Sequence, residues 1–254
     1  MMRKFAAFII LTGISFSAFS QTEAPKPKRP TARPDIPGTF VLEFGFNRDL
    51  SAPSDFSLGL FGSRSANLYY QYEFRILKSK FSFVPGIGLS LERYKFKNDY
   101  LIDYASNATS DGILMISPSD SIPGIKKSQL ITNYLDVPLE LRFSTNPEDP
   151  ARSFKISVGG RVGFMYDSFS KVKYKEDGEA KKIKNKEDFN LTKFRYGLTA
   201  RIGLGNFSIF GYYNLTPLFE ENKGVNERVG EGTSQTLVKK DFSTLTIGIS
   251  LASF

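Results

Sequence analysis

Charged side chains at alternate positions of apolar runs are the residues here whose chemistry suggests a function. The predicted set is Glu43, Glu73, Arg75, Glu92, Glu140, Arg142, Arg161, Arg195 and Arg201. Paired carboxylates can perform acid–base catalysis, a ring of charges can select ions, and arginine can hold carboxylates in a purely structural network. If these side chains point into the narrow interior of the fold, their charges must be paired there, so we predict a structural ion-pair network.

Composition removes most familiar catalytic chemistry. Among the 254 residues there is no Cys and no His, and the formal net charge is +8. The sequence therefore has no thiolate nucleophile, no Ser-His-Asp triad and no Cys-ligated zinc. We predict no catalytic, cofactor-binding or metal site and no enzymatic activity; an enzyme that uses carboxylates alone remains a third possibility, behind a structural protein and a channel.

Eight stretches alternate apolar and polar residues with a period of two, which is the pattern of a strand. In the first of them, Phe40, Leu42, Phe44 and Phe46 alternate with polar or small residues. The stretches are 40–47, 67–76, 81–92, 135–143, 154–164, 193–204, 207–216 and 244–251. Several are long enough to cross a bilayer as tilted strands, which need about 9–11 residues.

Loop lengths and glycine positions favour a membrane barrel over a soluble one. Long connections alternate with short ones, as in outer-membrane barrels with short periplasmic turns. Most strand glycines share the polar face, where a narrow lumen needs small residues beside large ones. The predicted fold is an all-β, transmembrane, antiparallel up-and-down β-barrel of eight strands. The alternative has ten, if Phe56–Phe61 and Gly112–Ser117 are also strands.

The region before residue 39 is typical of an exported protein. Arg3 and Lys4 precede the apolar run Phe5–Phe19, which predicts a signal peptide over residues 1–20 and a location in the outer membrane. Residues 21–38 are rich in proline and lysine, which predicts an extended periplasmic linker. This linker is either a solvated spacer or a basic arm that binds a partner. The barrel domain is expected over residues 39–254.

A second group of charges lies in one predicted external loop. It consists of Lys171, Lys173, Lys175, Lys181, Lys182, Lys184 and Lys186. Asp177-Gly178 in its middle predicts a hairpin turn, so we expect a basic ribbon that extends beyond the membrane. Outer-membrane lipid, lipopolysaccharide or an envelope protein are the expected partners, the alternative is a merely solvated ribbon, and no nucleic acid is expected.

Three segments resemble a known family. Residues 133–143, NYLDVPLELRF, resemble the Y-L-(D/E)-(I/V)-P-L strand of PorT-like outer-membrane barrels of Bacteroidota. Residues 194–198 and 210–219 look like the closing strands of the same family. The resemblance implies an integral outer-membrane barrel with a bulge at Pro138, and its namesake is implicated in type IX protein secretion. We therefore expect a structural or accessory component of an envelope assembly or secretion machine; the alternative is a narrow porin-like channel.

Overall fold

The computed structural model describes residues 38–50, 62–96, 100–104, 114–118, 122, 124–221, 223–229, 236–240 and 242–253. The strands are β1 Thr39–Leu50, β2 Arg64–Gln71, β3 Phe74–Arg75, β4 Phe81–Lys95, β5 Tyr100–Tyr104, β6 Leu114–Pro118, β7 Ile125–Ser144, β8 Phe154–Glu176, β9 Glu179–Asn185, β10 Phe194–Leu204, β11 Phe207–Asn214, β12 Val225–Val229, β13 Thr236–Lys240 and β14 Ser243–Ala252. A 3-10 turn covers Pro150–Arg152. The predicted signal peptide and nearly all of the linker lie outside the described residues.

Antiparallel pairing closes the main sheet into a ring. The order is β1, β2, β4, β7, β8, β10, β11 and β14, and β14 pairs with β1 again. The described residues thus form the predicted up-and-down barrel of eight strands. Strands β3 and β9 bring this sheet to ten but stay outside the ring, since β3 pairs with β4 and β9 with β8.

The described residues do not form the alternative, a barrel of ten strands. Strand β6 covers most of the second extra segment, but it belongs to a separate sheet ordered β13-β12-β6-β5. This sheet is built from the long connections β4–β7 and β11–β14. The first extra segment, Phe56–Phe61, lies outside the described residues.

The predicted strand over 67–76 is interrupted at Tyr72 and Glu73. Tyr72 donates its backbone N–H to the carbonyl of Pro85, but proline has no N–H to return the bond. The ladder therefore stops at Gln71 and resumes only at Phe74.

The bulge implied at Pro138 is also placed differently. Pairing of β7 with β8 runs through Pro138 without a shift, and the shift lies between Asn133 and Tyr134.

The outer face of the ring is an apolar band. Leu68, Leu89, Leu135, Phe164 and Leu198 are representative, each between 42% and 57% exposed. Exposed large apolar side chains on all eight ring strands are what a lipid-facing barrel requires. Closure of the ring also gives the backbone N–H and C=O groups of the strands hydrogen-bond partners, which lipid cannot provide.

Connections at the two ends differ as predicted. One end carries short turns, such as Gly205-Asn206, and the first and last strands meet there through a hydrogen bond from Ser253 to Phe40. The other end carries the second sheet and the β8–β9 hairpin. Short turns mark the periplasmic side of outer-membrane barrels, so the second sheet and the hairpin lie on the external side of the membrane. Among the described residues, no helix has the length and apolar character of a membrane span.

Candidate functional site

Inward-facing charges converge in the middle of the barrel. Alternation along each strand places Glu43, Glu92, Glu140, Arg161, Arg195 and Arg201 on the inner face, all at most 7% exposed. Their strands are β1, β4, β7, β8 and β10, so opposite walls contribute. The lumen therefore buries six of the nine charges predicted for it.

Arg195 is held by two carboxylates. Its Nη1 lies 2.6 Å from Oε1 of Glu92, and its Nη2 lies 2.9 Å from Oδ2 of Asp136. The second nitrogen also donates to Oδ1 of Asp136 at 3.2 Å. This geometry neutralises a buried guanidinium with charge-assisted hydrogen bonds.

Glu43 joins the other two buried arginines. Its Oε2 accepts from Arg161 at 3.1 Å and its Oε1 accepts from Arg201 at 2.7 Å. Arg201 also lies 2.9 Å from Glu140, and Arg161 lies 4.0 Å from Asp136. The seven groups form one connected network across the lumen.

Tyrosines fill the space around this network. The guanidinium of Arg161 lies 4.4 Å from the ring of Tyr212, and that of Arg195 lies 3.7 Å from the ring of Tyr134. Tyr69 donates its hydroxyl to Asp136 at 3.0 Å. These rings add cation–π contacts and close the gaps between the charged groups.

Sequence reasoning missed Asp136 and the tyrosines. Asp136 is fully buried and binds two arginines and Tyr69, so it is the centre of the network. Its signal was present, because it is four residues before Glu140 on the same alternating face. Tyr69 follows the same alternation in β2, which places it on the polar face, but the alternation does not show that its hydroxyl reaches Asp136.

Three predicted lumen residues lie at the periplasmic rim. Arg142 pairs with Glu73 at 2.9 Å, and the Glu73 side chain is 39% exposed. Arg75, which alternation places in the lumen, lies outside it. It pairs with Glu148 of the β7–β8 turn and donates to the carbonyls of Lys78 and Ser79. The reason is that the chain has already passed the lumen edge at β3, where Arg75 stabilises a turn.

An apolar cluster closes the external mouth. It contains Tyr94, Phe96, Ile102, Leu114, Leu130, Tyr134, Met165, Phe189, Leu191, Leu218, Phe219 and Phe242. Barrel strands and the long connections both contribute, and Phe189, Leu191 and Phe219 have no exposed surface. This mouth is a small hydrophobic core, which alternation in the strands does not predict.

The periplasmic end of the lumen holds a small cavity. Its volume is about 20 Å³, and Arg142, Lys155, Arg201 and Ser250 are among its lining residues. A space of this size holds about one water molecule. In the described part of the lumen, the ion-pair network thus lies between the apolar cluster at the external end and this cavity at the periplasmic end.

The predicted basic ribbon lies at the external end of β8 and β9. Asp177 and Gly178 have φ values of 52° and 83° and form the tight turn between the strands. Lys171, Lys173, Lys175, Lys182 and Lys184 share one face, since Lys171 faces Lys184 and Lys173 faces Lys182.

The other two lysines of the predicted set have acidic partners. Lys181 is on the opposite face of the ribbon, where its hydrogen bond to Glu176 raises the pKa of Lys181. Lys186 pairs with Asp167 at 3.0 Å. The uncompensated charge of the ribbon is therefore confined to one face.

Comparisons with known proteins agree with this architecture. The family model described as outer membrane protein beta-barrel domain matches residues 13–220, so the chain belongs to that family. It is an outer-membrane β-barrel protein.

A solved structure similar to this chain is Ail, the attachment invasion locus protein of Yersinia pestis, in complex with the heparin analogue sucrose octasulfate. The similarity covers 86% of this chain and 100% of that one, at 14% identity and a TM-score of 0.32. No curated protein matches the chain.

Proposed function

We propose that this barrel is a sealed, non-enzymatic scaffold, a structural or accessory component of an envelope assembly. The ion-pair network across the lumen is the observation that carries the proposal. Every buried arginine in it has a carboxylate partner, and the apolar cluster closes the mouth above. Such an interior leaves the periplasmic linker, the external loops and the outer wall as the surfaces for interaction.

The PorT-like segments favour a secretion machine of the type IX kind as that assembly. In this proposal, residues 1–20 are a signal peptide that is removed on export. Residues 21–38 then form a basic periplasmic arm ahead of the barrel at 39–254. Lys26, Lys28, Arg29 and Arg33 give this arm the charge to bind an acidic partner.

Gentle detergent extraction from native membranes, followed by sizing and mass spectrometry, tests the scaffold role. We expect a protein partner in fixed stoichiometry. A variant with Lys26, Lys28, Arg29 and Arg33 all changed to Gln should lose a partner held by the arm, while the unboiled barrel keeps its gel mobility. A barrel that is always recovered alone contradicts the proposal.

A narrow channel is the alternative, and conductance separates the two. In planar bilayers we expect no ion-conducting steps from the wild-type barrel at modest voltage. A channel would require a path past the Arg195–Asp136 pair at 2.9 Å. Steady conductance by the purified protein would favour the channel over the scaffold.

A further inference from the structure

Cations from five strands meet on the outer wall of the barrel at its external end. We call this group the basic belt. It consists of Arg64, Arg93, Lys95, Lys127, Lys171, Lys173, Lys175, Lys182 and Lys184. Four of these residues come from β2, β4 and β7, outside the ribbon that the sequence predicts. The belt is therefore a product of the strand register.

The register lines the belt up in cross-strand rows. Arg64 lies opposite Arg93 in the lowest row. The next row runs Lys95, Gln129, Lys171 and Lys184, and the one above runs Lys127, Lys173 and Lys182. Directly opposed side chains have Cβ atoms about 5 Å apart, so the cationic groups are close neighbours.

The belt begins where the apolar band ends. Leu91 is the last lipid-facing leucine of β4, and Arg93 and Lys95 follow on the same face. Two residues of strand rise by roughly 7 Å, so the first cations lie at the depth of lipid headgroups. Phe169, in the row of Arg93, has its ring centre 3.7 Å from the ammonium group of Lys184, so an aromatic ring lies among the cations.

Little within the described chain neutralises the belt. Asp167 lies one row below it, beside Asn133, and Lys186 pairs with it. Burial, followed by the charges of Arg64, Lys173, Lys95 and Arg93, lowers the pKa of Lys127. Like charges that face each other destabilise a sheet, so the fold has no internal reason to assemble this cluster.

We propose that the basic belt binds the phosphate groups of the glycolipid that forms the outer leaflet. Lysine and arginine clusters bind phosphorylated headgroups through charge and hydrogen bonds. A lipid occupant fits better than a soluble polyanion, because the belt faces sideways along the membrane plane and directly follows the apolar face of β4, where Arg93 comes after Leu91. The inference rests on the orientation used for the proposed function, with the long connections outside.

Binding of fluorescent, bisphosphorylated lipid A to the mature protein in neutral detergent tests this. Dephosphorylated lipid A is the matched ligand. The test variant carries Arg93→Gln, Lys95→Gln and Lys127→Gln. The control variant carries Lys78→Gln, Lys80→Gln and Arg152→Gln, which removes the same charge at the periplasmic end of the barrel.

We expect the wild type to prefer the phosphorylated ligand and to lose affinity as salt rises. Each neutralised cation should cost about fivefold in affinity, hence on the order of 100-fold for the belt variant. The control should bind like the wild type. Gel mobility before and after boiling shows that both variants are folded barrels.

Three results would overturn the proposal. They are equal binding of the two lipid A forms by the wild type, equal loss in both variants, and preference for a soluble sulfated polysaccharide over lipid A. None of them bears on the scaffold role, which depends on protein partners. If extraction recovers a protein partner but the barrel binds both lipid A forms equally, the scaffold role is supported and the lipid site on the basic belt is rejected.

Discussion

The lumen network and the basic belt are two sets of charges that share strands β4, β7 and β8, and only the lumen set contains both positive and negative groups. In the lumen, Arg161, Arg195 and Arg201 each contact two carboxylates within 4.0 Å. On the belt, none of the nine cations forms an ion pair with a carboxylate of the described residues, and Asp167, one row below, is paired with Lys186. Strand β4 contributes to both, with Glu92 inward and Arg93 outward.

The difference shows which charges serve the fold. A buried charge without a partner costs several kcal/mol, so the lumen must be neutralised within the chain. An exposed charge costs little, so the belt persists without a partner in the fold. Charges whose ion pairs are complete within the chain therefore serve the fold. Cations that lack such pairs and lie at the depth of the lipid headgroups indicate a binding site for an anionic ligand.

Replacement of Arg195 should have the largest effect on stability. Arg195→Met removes the cation and leaves Glu92 and Asp136 buried without their main partner. We expect a loss of about 3–5 kcal/mol in the free energy of unfolding. Urea titration of the barrel in lipid vesicles, followed by circular dichroism, measures it.

Arg152→Met is the matched control for that change. The Arg152 side chain is 87% exposed and lies 3.9 Å from Asp149, so its loss should be within about 0.5 kcal/mol of neutral. If the two variants are equally stable, the lumen network does not stabilise the barrel, and the comparison with the belt fails.

A glycine pair compares the packing of the inner and outer walls. A Cβ on Gly159 would lie 2.0 Å from the carbonyl oxygen of Leu139, whereas nothing lies within 4 Å of a Cβ on Gly211. Gly159→Ala should therefore cost about 3 kcal/mol and Gly211→Ala nearly nothing. Unfolding in the same vesicles checks both, and equal costs would mean that β7 moves away from the added methyl group of Gly159→Ala without loss of stability.

Tyr69→Phe probes the network without removing a charge. The change deletes the hydroxyl that donates to Asp136 at 3.0 Å but leaves both arginines in place. A hydrogen bond to a charged group contributes about 1.5–2 kcal/mol, so the loss should be of that size. Tyr196→Phe, on the lipid-facing side, should be neutral, and a neutral Tyr69→Phe would show that Asp136 does not need the hydroxyl.

Alternation, together with the order of long and short connections, predicted the barrel well. A period of two assigns each strand residue to one wall, and the order of long and short connections gives the up-and-down topology. The same rule placed Glu43 and Arg195 inside correctly. It failed at Arg75, because alternation says which way a side chain points but not where the lumen ends.

Features that depend on strand register or on loop packing could not be predicted from the sequence. Lys127 faces Lys173 only because the pairing of β7 with β8 shifts between Tyr134 and Asn133. Phe189 and Phe219 meet in the apolar cluster from separate loops, with no period to reveal them. Strand register and loop contacts are set by residues that are far apart in the sequence, so a single sequence carries only a weak local signal for them.

Lys127→Gln should have the smallest effect and the opposite sign. The lysine faces Lys173 across β7 and β8, so removal of its charge relieves repulsion and should stabilise the barrel in neutral detergent by about 0.3 kcal/mol. Added salt screens the same repulsion, so the gain should vanish near 1 M, where the Debye length is about 3 Å. Lys127→Arg keeps the charge and should show no gain, with thermal unfolding of the three proteins at low and high salt as the measurement. A loss of stability in Lys127→Gln would mean that this cation has a partner within the chain, and the contrast between a paired lumen and an unpaired belt would then disappear.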